Sequence, residues 1–241
     1  MNPLMRTISR TATLLLTVTA LLGCNTMAVQ GSNKPYPIIH SLASTQTIDI
    51  GGSGELRIEN GSANQLIVLA KGAVHDRLVI TQVNGTLSIQ PETGMRFRNR
   101  EPIQYLVITD GLETIKLSGA LGLTAADYQT ERLNINSSGA SNLDVQIRTE
   151  QLTIKASGAL EGLLSGTAER LLLTLTGTAQ VQALDLLAKD VQVNLAGASS
   201  VEVTAADSLQ IDISGASEVG YQGRPRISSS VSAASRVYSV E

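Results

Sequence analysis

The sequence predicts an all-β chain: a right-handed parallel β-helix, or solenoid, with coils of about 19 residues, capped by a less regular N-terminal β region. Three observations predict it. A step of small residues around a glycine recurs at Gly119, Gly139, Gly158, Gly177, Gly197 and Gly215, at intervals of 20, 19, 19, 20 and 18 residues. Around each glycine apolar and polar side chains alternate with period two, as in a strand with one buried face, and the period of 3.6 that a helix needs is absent. Aromatic residues make up only 2% of the chain, with no Trp, as expected of a core built from aliphatic ladders.

Residues 1–23 read as a lipoprotein signal peptide. Arg6 and Arg10 precede a short apolar run that ends in Leu21-Leu22-Gly23-Cys24. That run is too short for a membrane-spanning helix, which needs about 20 apolar residues. The tetrad resembles the lipobox of bacterial lipoproteins, which implies that Cys24 is the lipidated first residue of the mature chain, carrying palmitate among its acyl groups. Asn25 stands where retention at the inner membrane favours Asp, so the resemblance implies an outer-membrane lipoprotein of a Gram-negative cell envelope. Cys24 is the sole cysteine, so no disulfide forms within the chain. Without residues 1–23 the net charge is −5, with no basic face for nucleic acid. Residues 24–44, rich in Asn, Ser, Gln and Pro, read as a flexible tether.

Residues 45–111 form the predicted N-terminal β region. Short alternating runs at 47–50, 55–59, 65–70, 77–82 and 86–90 are separated by turn signals, among them Gly51-Gly52-Ser53-Gly54, Asn60-Gly61 and Lys71-Gly72. Asn84-Gly85, between two alternating runs, predicts a tight hairpin. This region is expected to cover the first end of the solenoid, whose strands would otherwise offer unpaired edges. Residues 91–102 carry Arg96, Arg98 and Arg100 around Phe97 and read as a solvated basic loop.

Residues 112–241 are the repeat. Four positions before the glycine stand Ile115, Ile135, Ile154, Leu173, Val193 and Ile211, and four after it Leu123, Leu143, Val181, Val201 and Val219. Each buried aliphatic side chain is worth about 1.5–3 kcal/mol. Nineteen residues are too few for a strand-helix-strand unit of about 30, but they suit strand, tight corner, strand and return. In the last copy Ser229 replaces the isoleucine and Ala233 the glycine, which suits a polar terminus. Seven coils at the inter-strand spacing give a rod of about 30 Å.

The run Leu106-Val107-Ile108-Thr109 and Gly111-Leu112-Glu113-Thr114-Ile115-Lys116-Leu117-Ser118-Gly119-Ala120, followed by successive Ser-Gly-Ala steps, resembles the bacterial putative auto-transporter adhesin, head GIN domain family. So does Asn84-Gly85-Thr86-Leu87. The resemblance spans roughly residues 45–240 and implies an exported parallel β-helix, often lipid-anchored, with no catalytic residues.

The residues themselves offer little reactive chemistry. His75-Asp76 point to opposite faces if they lie in a strand, and no spacing of Cys, His, Asp or Glu resembles a metal site. The serines of the repeated steps occupy near-equivalent corners, so a structural role fits them better than nucleophilic catalysis. The strand before the corner presents Thr, Asn, Gln and two lysines outward; the strand after it presents Asp144, Glu161, Glu202 and Glu218. The expectation is a non-enzymatic, lipid-anchored envelope protein, an adhesin or scaffold, without cofactor or nucleic acid. It would meet the membrane through Cys24 and a glycan or protein ligand through the polar face of the β-helix. The alternatives are a polysaccharide-active enzyme on a β-helix, where the fold alone is a weak warrant, and an envelope assembly factor.

Overall fold

The computed structural model describes residues 34–94, 102–232 and 234–240. The signal peptide, Cys24 and the basic loop with Arg96, Phe97, Arg98 and Arg100 lie outside them, as does Ala233. The fold is all-β, and its sheet does not close on itself.

The strands in chain order are β1 (Tyr36–Ser41), β2 (Thr47–Asn60), β3 (Gln65–Ala70), β4 (Leu78–Val83), β5 (Thr86–Pro91), β6 (Gln104–Thr109), β7 (Thr114–Gly215), β8 (Glu218–Gln222), β9 (Arg226–Val231) and β10 (Arg236–Ser239). A single helical turn, α1 (Gly72–His75), follows β3. The 102 residues of β7 are extended throughout; laid straight they would run about 340 Å. They coil instead, so that Gly139 sits over Gly119, Gly158 over Gly139, Gly177 over Gly158, Gly197 over Gly177 and Gly215 over Gly197.

Pairing between layers is parallel. β2 lies beside the start of β7 with Ile48 opposite Ile115 and Leu56 opposite Leu123, while β8 and β9 continue the stack beyond Val201 and Ile211. Hydrogen bonds from Thr149 to Glu131, Ser214 to Leu195 and Thr204 to Leu184 span 18, 19 and 20 residues, the step of one layer. The two aliphatic columns read from the sequence point inward: Ile115, Ile135, Ile154, Leu173, Val193 and Ile211 are all buried, as are Leu123, Leu143, Val181, Val201 and Val219.

The repeat extends further toward the N-terminus than the regular glycine spacing indicates. Gly51-Gly52-Ser53 pairs in register with Ser118-Gly119-Ala120, and Gly119 sits over the Gly52 carbonyl, so β2 is itself a layer of the stack. Residues 61–113 leave the stack, build its cover and rejoin it. β5 and β6 lie parallel to the two halves of β2. β4 then pairs antiparallel with β5, β3 with β6, and β1 with β3. Asn84 and Gly85 take φ of 49° and 73°, the paired left-handed conformation of a tight hairpin turn, as their sequence predicts.

Residues 36–41 correct the expectation of a flexible tether over 24–44, because they form β1 with six residue pairs to β3. β1 lies at the sheet edge, where a proline such as Pro37 is tolerated.

Candidate functional site

The six repeat glycines from Gly119 to Gly215 have φ between 111° and 135°, a region that side-chain-bearing residues rarely enter. A methyl group added at Gly139 would overlap the carbonyl oxygen of Gly119, and the same holds at every step of the column. The corners are therefore closed against any other residue twice over, by conformation and by space. This close approach forms a narrow ridge along the stack, with one shallow groove on each side.

The groove before the ridge is lined by outward side chains of the strand that precedes the corner: Asp49, Lys116, Asn136, Lys155 and Thr174, with hydroxyls of Ser118 and its equivalents at the ridge. Its volume is about 480 Å3. The groove after the ridge, about 860 Å3, has a floor of alanines and a column that reads Glu55, Gly122, Asn142, Glu161, Gln180, Ser200 and Glu218. The Glu55 carboxylate lies across Gly122, in the space that a side chain there would fill. The asymmetry expected from the sequence is thus built into two parallel grooves of opposite character.

Sequence reasoning missed a second polar column, two positions after the glycines. The Ala179 N–H donates to Ser199 Oγ at 3.2 Å, the Ser199 N–H to Ser217 Oγ at 3.0 Å and the Ser217 N–H to Ser235 Oγ at 3.1 Å. Each hydroxyl thereby satisfies a corner amide of the layer before it, which would otherwise cost about 1–3 kcal/mol as an unpaired buried donor. The signal was present as Ser at 199, 217 and 235, spaced 18 residues apart. The serines just before the glycines have a similar task, since Ser118 and Ser214 hydroxyls donate to the Ile50 and Leu195 carbonyls of the preceding layer. No histidine stands behind either set in their hydrogen bonds.

Both histidines lie in the N-terminal cover, His40 in β1 and His75 at the end of α1. His75 Nε2 donates to the Tyr36 carbonyl at 2.9 Å, and the Tyr36 and His75 rings lie 4.8 Å apart. Burial, and secondarily the charge of His75, hold the His40 imidazole below its ordinary pKa. Asp76 is not the partner of His75 in any of these contacts. Two phenols, Tyr105 and Tyr128, are buried in the core without a hydrogen-bond partner for their hydroxyls. Burial raises both, Tyr128 to about 12, so they remain protonated and serve as core volume. Among the described residues no three Cys, His, Asp or Glu side chains converge as metal ligands.

Stacked corners, a parallel aliphatic core and an antiparallel cover invite comparison with known proteins. The family model described as "Putative auto-transporter adhesin, head GIN domain" matches residues 45–225. The chain belongs to this family. A solved structure of a putative adhesin from Bacteroides fragilis superposes on this head GIN domain with a TM-score of 0.80 at 20% identity, covering 87% of this chain and 98% of that one. A putative lipid binding protein from Parabacteroides distasonis gives 0.69 at 21% identity, covering 88% and 98%. A putative adhesin from Parabacteroides merdae gives 0.61 at 15% identity, covering 88% and 98%. At these identities the likeness concerns the fold. No curated protein matches the sequence.

Proposed function

We propose that this head GIN domain chain is a non-enzymatic, lipid-anchored cell-envelope protein, an adhesin or scaffold that presents one face of a right-handed parallel β-helix with coils of about 19 residues. The observation that carries the reading is the pair of open grooves along the ridge, in which Asn, Gln, Ser and Thr recur layer after layer as donors and acceptors. Such columns suit an elongated ligand lying along the stack, because successive layers place polar side chains in line with one another. The family and the neighbouring adhesin structures support the same reading.

The alternative of a polysaccharide-cleaving enzyme finds no support in the groove after the ridge. Glu55, Glu161 and Glu218 are three layers apart, about 14 Å at the inter-strand spacing. Paired carboxylates of glycoside hydrolases stand about 5–10 Å apart.

Anchoring is proposed at Cys24, with the outer membrane as its location; several acyl chains, at about 0.8 kcal/mol per buried CH2, make such an anchor effectively permanent. The test of the whole reading has two arms. The full chain should bind envelope polysaccharide, matrix or cell-surface preparations, and loss of the gene should reduce attachment; absence of both effects would remove the adhesive role. Cys24→Ser should release the protein from washed membranes, and retention would refute the anchor.

A further inference from the structure

The chain contains five lysines. Lys189 is ion-paired with Glu169, and Lys34 and Lys71 lie in the N-terminal segment and cover, where both are engaged. Lys116 and Lys155 remain, and among the described residues neither meets a carboxylate at ion-pair distance. Both occupy the same column, three positions before a glycine, and both line the groove before the ridge. They stand two layers apart, about 10 Å, with Asn136 between them.

The surroundings narrow what these ammonium groups suit. The one carboxylate lining that groove, Asp49, stands opposite Lys116 one layer away and accepts a hydrogen bond from Gln90 Nε2 at 3.2 Å, so it offsets part of the charge at Lys116 and leaves a net positive charge centred on Lys155. The groove runs across strands whose backbone groups are already paired between layers, so an extended peptide would find no free N–H or C=O to bond. Hydroxyl and amide side chains do recur at every layer, as sugar hydroxyls would require. No aromatic ring lines the groove, so stacking, on which neutral-sugar sites usually draw, is absent and charge must carry the recognition. The groove beyond the ridge carries Glu55, Glu161 and Glu218, which repel an anion and confine it to one side.

We infer that the groove holding Lys116, Asn136 and Lys155 binds an acidic linear glycan, whose anionic groups pair with the two lysines while sugar hydroxyls meet Asn136 and the serines at the ridge. This inference rests on the binding role proposed above and narrows its ligand.

The test uses the full chain in detergent with a galacturonate hexamer, a neutral cellohexaose and polyglutamate as probes, read by calorimetry. The galacturonate hexamer should bind, the double variant Lys116→Ala/Lys155→Ala should lose at least tenfold in affinity, and Lys116→Arg/Lys155→Arg should retain it. Lys189→Ala, with an unchanged melting temperature, should bind as the parent does. Binding should also weaken with added salt. Unchanged affinity in the double alanine variant overturns the inference. Equal binding of cellohexaose overturns it too, while leaving the broader binding role intact. Equal binding of polyglutamate overturns the glycan assignment in favour of a general anion surface. Failure of every probe overturns this inference alone, since the binding role is judged on whole-envelope preparations.

Discussion

The two ends of the stack solve one problem in different ways. At the N-terminal end the core continues into the cover, and Leu66, Val68, Leu87, Ile89 and Val107 are as fully buried as any residue in the middle. There the chain reverses direction, and antiparallel β4, β3 and β1 close the layers below β2. At the C-terminal end nothing reverses. β9 simply lies on the last buried layer, all six of its residues exposed, and Ser229 takes the place that isoleucine holds elsewhere. One end is finished by topology and the other by composition, which places most of the end-capping stability at the N-terminal side.

A change at a corner in the middle of the stack should be among the costliest. Gly158→Val forces a β-branched residue into positive φ and drives its Cβ into the Gly139 carbonyl, so a loss of about 3 kcal/mol or more is expected, read as a fall in melting temperature. A melting temperature equal to the parent's would show that the corner tolerates a side chain. The two ends are then compared directly by urea denaturation. Ile89→Ala, in the cover, should cost about 2–5 kcal/mol, whereas Ile227→Ala, 45% exposed in β9, should stay within about 0.5 kcal/mol. Equal losses would abolish the distinction between the ends.

The smallest effect belongs to His40 in β1. Its folded pKa lies below the ordinary value of 6.5, so the unfolded chain takes up the proton more readily. Stability from this group is therefore present above about pH 6.5 and is lost as the pH falls toward and through the folded pKa. His40→Gln should flatten the change in urea midpoint between about pH 7.5 and pH 5. If the midpoint of the parent rises on acidification, the sign is wrong.

Much of this architecture was legible because its determinants are local and repeated. The glycine column and the two aliphatic columns each rest on a residue type at a fixed interval, and Asn84-Gly85 encodes its turn within two residues. Gly52 was not legible as part of the column, because 67 residues separate it from Gly119 and only the three-dimensional return of the chain restores the interval. β1 was hidden because the Asn, Ser, Gln and Pro content of residues 24–44 reads as a tether, although a proline is tolerated in an edge strand. The grooves were legible as outward residue types but not as open clefts, since only the stacking of the layers places the two columns on either side of the glycines. The contact of His75 with Tyr36 depends on β1 pairing with β3, and no pattern in either segment announces it.

The contact of each glycine with the carbonyl beneath it also constrains how such a molecule can change in length. Removing or duplicating one whole turn leaves every corner facing an identical corner, while any other insertion within the column sets a side chain against a backbone oxygen. Descendants of this sequence should therefore grow or shrink in whole steps of roughly 4.8 Å, a quantised reach. Extra residues should gather in the return segments opposite the ridge.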